Sequence, residues 1–229
     1  MDAATAKHVG ARLLGEVEDG SLEELLGELR ANLTNTSSHH RSPELPLPGL
    51  TTVASRYQKA TQSAPPPLLS VSGRYLPLLY HLVSTLIAAP HSYTVVLVDV
   101  ESRFDVTRLI HPSSNYSAAY SDLKHLYVYR PARGQEQAAI AAAEGFMLYG
   151  AHGSRDREWW GTVVVGGTGG DVNAGWKGWL RVEKEEVGGF AVGVSVDEAL
   201  KDRARRQEVV DGAGWVARSQ WGNYGWKDV

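Results

Sequence analysis

Leu68-Leu69-Ser70-Val71-Ser72-Gly73, Arg74-Tyr75-Leu76-Pro77, Leu78-Leu79-Tyr80-His81-Leu82-Val83-Ser84-Thr85-Leu86-Ile87 and Tyr93-Thr94-Val95-Val96-Leu97-Val98-Asp99-Val100-Glu101 decide the fold. They read as strand, short loop, buried helix and second strand. The first run is short, apolar and stopped by glycine, as at the end of an inner strand. Pro77 suits the first helical position, where its missing N–H costs no hydrogen bond. The helix is apolar on most sides, which places it in the core. Ala89-Pro90 ends it. The second strand is continuously apolar and β-branched, with acids at its far end, the pattern of a parallel strand covered on both faces. Residues 67–105 are thus the opening βαβ unit of an α/β fold of nucleotide-binding type.

Working outward, Leu126-Tyr127-Val128-Tyr129-Arg130 reads as a third strand and Gln135 to Tyr149 as a helix with Ile140, Ala143, Phe146 and Met147 inward. A fourth strand, Trp159 to Gly167, leads into Thr168-Gly169-Gly170-Asp171. Trp176 to Val182 and Gly189 to Ser195 read as an antiparallel pair, and Ser195-Val196-Asp197-Glu198 caps a helix through Val210 that ends near Gly212. On the N-terminal side, residues 1–31 read as helical. Val9, Leu13, Leu14 and Val17 have helix spacing, and the capping box Ser21-Leu22-Glu23-Glu24 opens the stripe Leu22, Leu25, Leu26 and Leu29. Residues 32–66 are rich in Ser, Thr and Pro and read as an extended linker. The core is then 67–229.

Composition bounds the function. The chain has 229 residues, enough to bury a core, and a formal net charge of −3, which excludes a strongly basic nucleic-acid binder while allowing local patches. It has no cysteine, so disulfide frameworks, thiolate metal sites and cysteine nucleophiles are excluded. No stretch has membrane-spanning length and no apolar signal core opens the chain, so an intracellular setting away from membranes is expected. His39-His40 has no further ligand nearby in sequence, and no metal is expected. Eight histidines carry no Ser-His-Asp spacing.

The strand, the Leu79-Tyr80-His81-Leu82 helix, the Val96-Leu97-Val98-Asp99-Val100-Glu101 strand and the following Arg103-Phe104-Asp105-Val106-Thr107-Arg108-Leu109 resemble the RecA-family recombinase core, most closely its eukaryotic recombinase paralogues. The resemblance covers roughly residues 67–195. It implies a P-loop NTPase-type core with a mostly parallel sheet and a C-terminal antiparallel strand pair. It also implies a Gly-x-x-x-x-Gly-Lys-Ser/Thr loop around ATP phosphates, which this chain lacks. Aligned on Leu79 to Leu82, the lysine and hydroxyl positions fall on Tyr75 and Leu76, and the second glycine on Arg74; only Gly73 remains. Such a loop needs amides at the phosphate, a lysine and a magnesium-binding hydroxyl. ATP hydrolysis is therefore not expected, and no cofactor is.

By the same resemblance Asp99 and Glu101 occupy the Asp-x-Glu position, where the glutamate would orient water. Without the lysine they read as structural acids, paired with Arg103 or Arg108. The aspartate usual after the next strand is replaced by Gly166-Gly167. Gly166 to Gly170 fails the dinucleotide fingerprint, because Val172 stands at its third glycine and no helix follows. That loop lies where recombinases place DNA-contacting loops. Lys177, Arg181, Lys201, Arg203, Arg205 and Arg206 are the candidate DNA contacts, with Trp176 or Trp179 for base stacking; Asp197, Glu198, Asp202 and Glu208 make the helix among them a mixed solvated face.

The expectation is a nuclear, non-catalytic recombinase paralogue, active in double-strand break repair by homologous recombination. It would be a subunit of a mediator complex with other recombinase paralogues, assisting filaments on single-stranded or branched DNA, directly or through its partners. The alternative is a divergent ATPase of the RecA class, binding ATP and magnesium through Gly73, Asp99 and Glu101. A third reading is a scaffold that touches protein only.

Overall fold

The computed structural model describes residues 44–62, 67–110, 118–188, Gly193 and 195–227. The helices read at 1–31, His39-His40 and most of the strand read at 189–195 lie outside them. The strands are β1 (Leu69–Gly73), β2 (Thr94–Asp99), β3 (Leu126–Tyr129), β4 (Trp159–Val165), β5 (Val172–Ala174), β6 (Leu180–Lys184), β7 (Trp215–Ser219) and β8 (Gly222–Trp226). They form one sheet of eight in the order β3-β2-β4-β5-β1-β6-β7-β8. Among the described strands, β3 through β6 run parallel, and β7 pairs antiparallel with both β6 and β8. The fold is α/β with a mostly parallel sheet and an antiparallel C-terminal end.

Every residue of β2 is buried, so the sheet is covered on both faces there. Successive strand side chains alternate between faces. Val95 and Leu97 join the larger apolar cluster, with Leu79, Leu82 and Leu86 of α2 (Leu76–Ile87). Val96 and Val98 join a second cluster with Ile140, Ala143 and Met147 of α3 (Glu136–Tyr149). The helices α2 and α3 therefore lie on opposite faces. Pro77 sits in the first turn of α2, one position later than expected, since the helix begins at Leu76.

The expectation of an extended linker fails in its second half. Residues Pro48–Thr61 form the first described helix, α1. Leu45, Leu47, Leu50, Val53 and Ala54 are buried in the larger cluster, and Tyr57 stacks on Trp179 with centroids 4.3 Å apart. The Ser- and Pro-rich composition around this segment conceals an apolar stripe at helix spacing, and burial of that stripe outweighs the local propensity.

A second correction concerns the antiparallel pair. The partner of β6 is β7, with Arg181 opposite Arg218 and Val182 opposite Ala217. The helix expected over 195–210 is broken at Asp202 into α4 (Val196–Lys201) and α5 (Arg203–Asp211), which form an excursion between β6 and β7.

Two connections join parallel strands without a helix, although such crossovers usually take a dozen or more residues. Val172 pairs with Val163, so residues 166–171 step back only a short way along β4. They lie flat on it: a Cβ on Gly170 would stand 2.7 Å from the Thr162 carbonyl oxygen. The Asp171 carboxylate fastens the turn by accepting the Thr162 N–H at 2.8 Å. Residues 175–179 then cross β1, where a Cβ on Gly178 would stand 2.6 Å from the Ser70 carbonyl oxygen. Ser72 Oγ donates to the Gly178 carbonyl oxygen at 3.2 Å across the same crossing.

Candidate functional site

Ligands of open parallel sheets bind beyond the carboxyl ends of the strands. Here that edge brings together Gly73, Arg74 and Tyr75 after β1, Asp99 and Glu101 at the end of β2, and Gly166 after β4. The Tyr75 hydroxyl donates to Glu101 Oε2 at 2.9 Å. Arg103 Nη1 donates to the Tyr75 oxygen and to the same carboxylate oxygen, each at 3.2 Å. The guanidinium carbon lies 5.5 Å from the centre of the Tyr75 ring. Tyr75 is only 4% exposed. Burial first, and then the bond to Glu101, push its phenol up to about 12. Gly166 is required beside this group, because any Cβ there would fall directly on Glu101 Cγ.

The backbone of the loop is committed elsewhere. The Arg74 N–H donates to the Val182 carbonyl oxygen at 2.8 Å. Gly73 has φ +77°, and a Cβ there would stand 2.5 Å from that carbonyl oxygen, so glycine serves the close approach of β1 to the end of β6. Leu76, at the hydroxyl position, packs against the larger apolar cluster. Pro77 removes one N–H from the first turn of α2. The loop itself offers a phosphate no lysine, and the Arg74 amide is already bonded.

Asp99 is 0% exposed. Its carboxylate accepts the N–H of Arg103 at 3.1 Å and of Phe104 at 2.8 Å, with Arg130 Nε 3.8 Å away. It shapes the turn after β2. The Tyr80 hydroxyl accepts the Asp105 N–H at 3.0 Å, and the Arg108 guanidinium lies 5.8 Å from the centre of the Tyr80 ring. Among the described residues, no group of three or more His, Asp or Glu side chains is placed to hold a metal ion.

The structure separates the cationic candidates. Lys177 Nζ lies 4.1 Å from the Trp176 ring centre, and Trp176 is 84% exposed. Trp179 is packing: it stacks on Tyr57 and meets Trp221 edge-on. Arg181 pairs with Glu183 and, with Gly73, Arg74, Val182, Glu183 and Lys184, lines a depression of about 350 Å³. Lys201, Arg203, Arg205 and Arg206 lie on α4 and α5, which pack chiefly on one another. Sequence reasoning missed Tyr80, Arg130 and Arg218. The position of Arg130 at the carboxyl end of β3 is a signal that could have found it. Arg218 has none, because its place depends on the pairing of β7 with β6.

No protein-family model matches the chain, and no curated protein and no solved structure matches it significantly. Fold and site define an α/β domain in which the loop after β1 is tied by its own side chains to the end of β2.

Proposed function

We propose that the chain is a non-catalytic paralogue of the RecA class, resembling the second X-ray repair cross-complementing protein. It serves in the nucleus as a subunit of a homologous-recombination mediator complex, with other recombinase paralogues as partners, and assists recombinase filaments on single-stranded DNA. The Tyr75–Glu101 hydrogen bond carries the non-catalytic part of this reading. A side chain at the lysine position occupies, by a hydrogen bond, the acid that would otherwise orient water, and Arg103 pairs with the same carboxylate. The parallel run through β6 followed by a reversed β7 supports the recombinase part, since that resemblance implies such a layout. The divergent-ATPase reading has less support, because Asp99 and Glu101 are both engaged by Arg103.

The test is an affinity pull-down from nuclear extract, with the eluate assayed for fluorescent single-stranded DNA and for ATP. Recovery of recombinase paralogues, with DNA bound and no ATP bound by this chain, supports the proposal. Saturable ATP binding by the isolated chain, accompanied by no such partner, overturns it.

A further inference from the structure

The sheet is unevenly covered. The α3 face is roofed over β2 and β4 by α3 itself, while over β1, β6, β7 and β8 the same face carries Ser72, Arg181, Glu183, Arg218 and Asn223, with Val216 among them. Register aligns Ser72 of β1 with Arg181 of β6, Arg181 with Arg218 of β7, and Arg218 with Asn223 of β8. Cross-strand partners share a face and stand a few ångströms apart, and like charges directly opposite one another destabilise a sheet. Arg181 and Arg218 are such a pair, with side chains 69% and 44% exposed. Their acids, Glu183 and Glu186, are surface partners of the kind that contributes little and yields to a stronger anion.

The row also opens onto a concavity. Arg181 lines the 350 Å³ depression at the carboxyl end of β1 and along β6, together with Arg74 and Lys184 and against Glu183, the one acid in its lining. This is a local cationic surplus on a chain whose net charge is −3. The segment crossing β1 on this face, fixed by the Ser72–Gly178 bond, carries the exposed Trp176 ring flanked by Lys177.

We propose that this face is a single-stranded nucleic-acid track: Arg181 and Arg218 contact successive phosphates, Arg74 extends the path into the depression, and Trp176 stacks on a base. Paired cations on a sheet with an exposed aromatic fit a flexible polyanion with accessible π-faces, which a duplex does not offer. The inference rests on the nucleic-acid part of the function proposed above and assigns it to the sheet face instead of α4 and α5.

The experiment is fluorescence anisotropy of a labelled oligo-dT of about 30 nucleotides, long enough to exceed one binding site. It is titrated with full-length protein across a salt series. Arg181→Glu with Arg218→Glu is expected to weaken binding more than tenfold and to lower the salt slope by about 1.4, two contacts at about 0.7 each for a single strand. Trp176→Ala is expected to weaken binding with the slope unchanged. Lys59→Glu on the far helix is the control, and circular dichroism checks that each variant folds. If wild-type protein binds the oligonucleotide and the double variant binds it equally with the same slope, this proposal fails while the function reading stands. If wild-type protein binds none, alone or with its recovered partners, the DNA part of that reading fails as well. Stoichiometric displacement of the oligonucleotide by ATP would reassign the depression to a free nucleotide and overturn the track.

Discussion

The Tyr75 hydroxyl lies 2.9 Å from Glu101 Oε2, and Arg103 closes the triangle at 3.2 Å from each. The loop after β1 is thereby tied to the end of β2 by a neutral donor and a cation acting on one carboxylate. Tyr75→Phe removes the donor and leaves the ring in place. A hydrogen bond to a charged group contributes about 1.5–3 kcal/mol, and the partial exposure of Glu101 favours the lower end. The expected loss is a fall in the thermal midpoint of a few degrees. The pH dependence is diagnostic. A phenol raised from 10.0 to about 12 holds its proton in the fold where the unfolded chain releases it. Its stabilisation is complete below pH 10 and is lost as pH rises through 12. Urea midpoints measured across this range should fall less steeply in Tyr75→Phe than in wild type; parallel curves would refute the assignment.

Asp99 offers a sharper contrast between structure and catalysis. Its carboxylate is buried and holds the Arg103 and Phe104 amides. Asp99→Ala leaves both donors without that acceptor, at a cost of about 1–3 kcal/mol for each one left unsatisfied. Equilibrium unfolding in urea should show a loss of several kcal/mol in total, with Asp99→Asn losing less because its amide oxygen still accepts. A variant as stable as wild type would mean that the carboxylate is not what holds this turn.

At the opposite edge of the sheet, His125 is 1% exposed, with Nδ1 2.8 Å from Ser154 Oγ, which also meets the Tyr127 hydroxyl at 3.0 Å. Burial first, and then the charges of Arg157 and Lys124, lower its pKa from 6.5. The unfolded chain therefore binds this proton more readily than the folded one. The stability that neutral His125 allows is present above pH 6.5 and declines as pH falls through the lowered folded value. Denaturation midpoints of wild type should drop on acidification through this window, and His125→Gln should drop less. NMR titration of the ring would show the lowered midpoint directly.

The opening βαβ unit was legible because a strand covered on both faces must be continuously apolar, and Val95 to Val98 supply such a run, alternating between the two clusters. The long-range pairings were not. Nothing local in Trp215 to Ser219 states that β6 is its partner, and the excursion through α4 and α5 separates the two in sequence. The helix Pro48–Thr61 was hidden by the prolines and serines around it, although Leu50, Val53, Ala54 and Tyr57 keep helical spacing. At the site, the absence of lysine and hydroxyl could be read directly. That Tyr75 would turn inward and bond Glu101 could not, since it depends on the meeting of β1 and β2 edges across β4 and β5.

Glycines 175 and 178 flank the crossing over β1 and separate a steric requirement from a compositional habit. A Cβ on Gly178 would stand 2.6 Å from both the Ser70 oxygen and the Val71 carbonyl carbon, all backbone atoms of a central strand that cannot yield. A Cβ on Gly175 meets nothing within 4 Å. Gly178→Ala should therefore lift the crossing segment off β1 and break the Ser72–Gly178 bond, costing about 1–3 kcal/mol or more, as overpacking does. Gly175→Ala should be close to neutral or slightly stabilising, because alanine restricts the unfolded chain. Urea unfolding of the two variants side by side checks this, and equal destabilisation by both would show that the chain does not cross β1 at Gly178. The pair also bears on the nucleic-acid track. Displacement of the crossing should reduce oligonucleotide affinity in Gly178→Ala at salt concentrations where Gly175→Ala binds as wild type does, since Trp176 rides on the displaced segment.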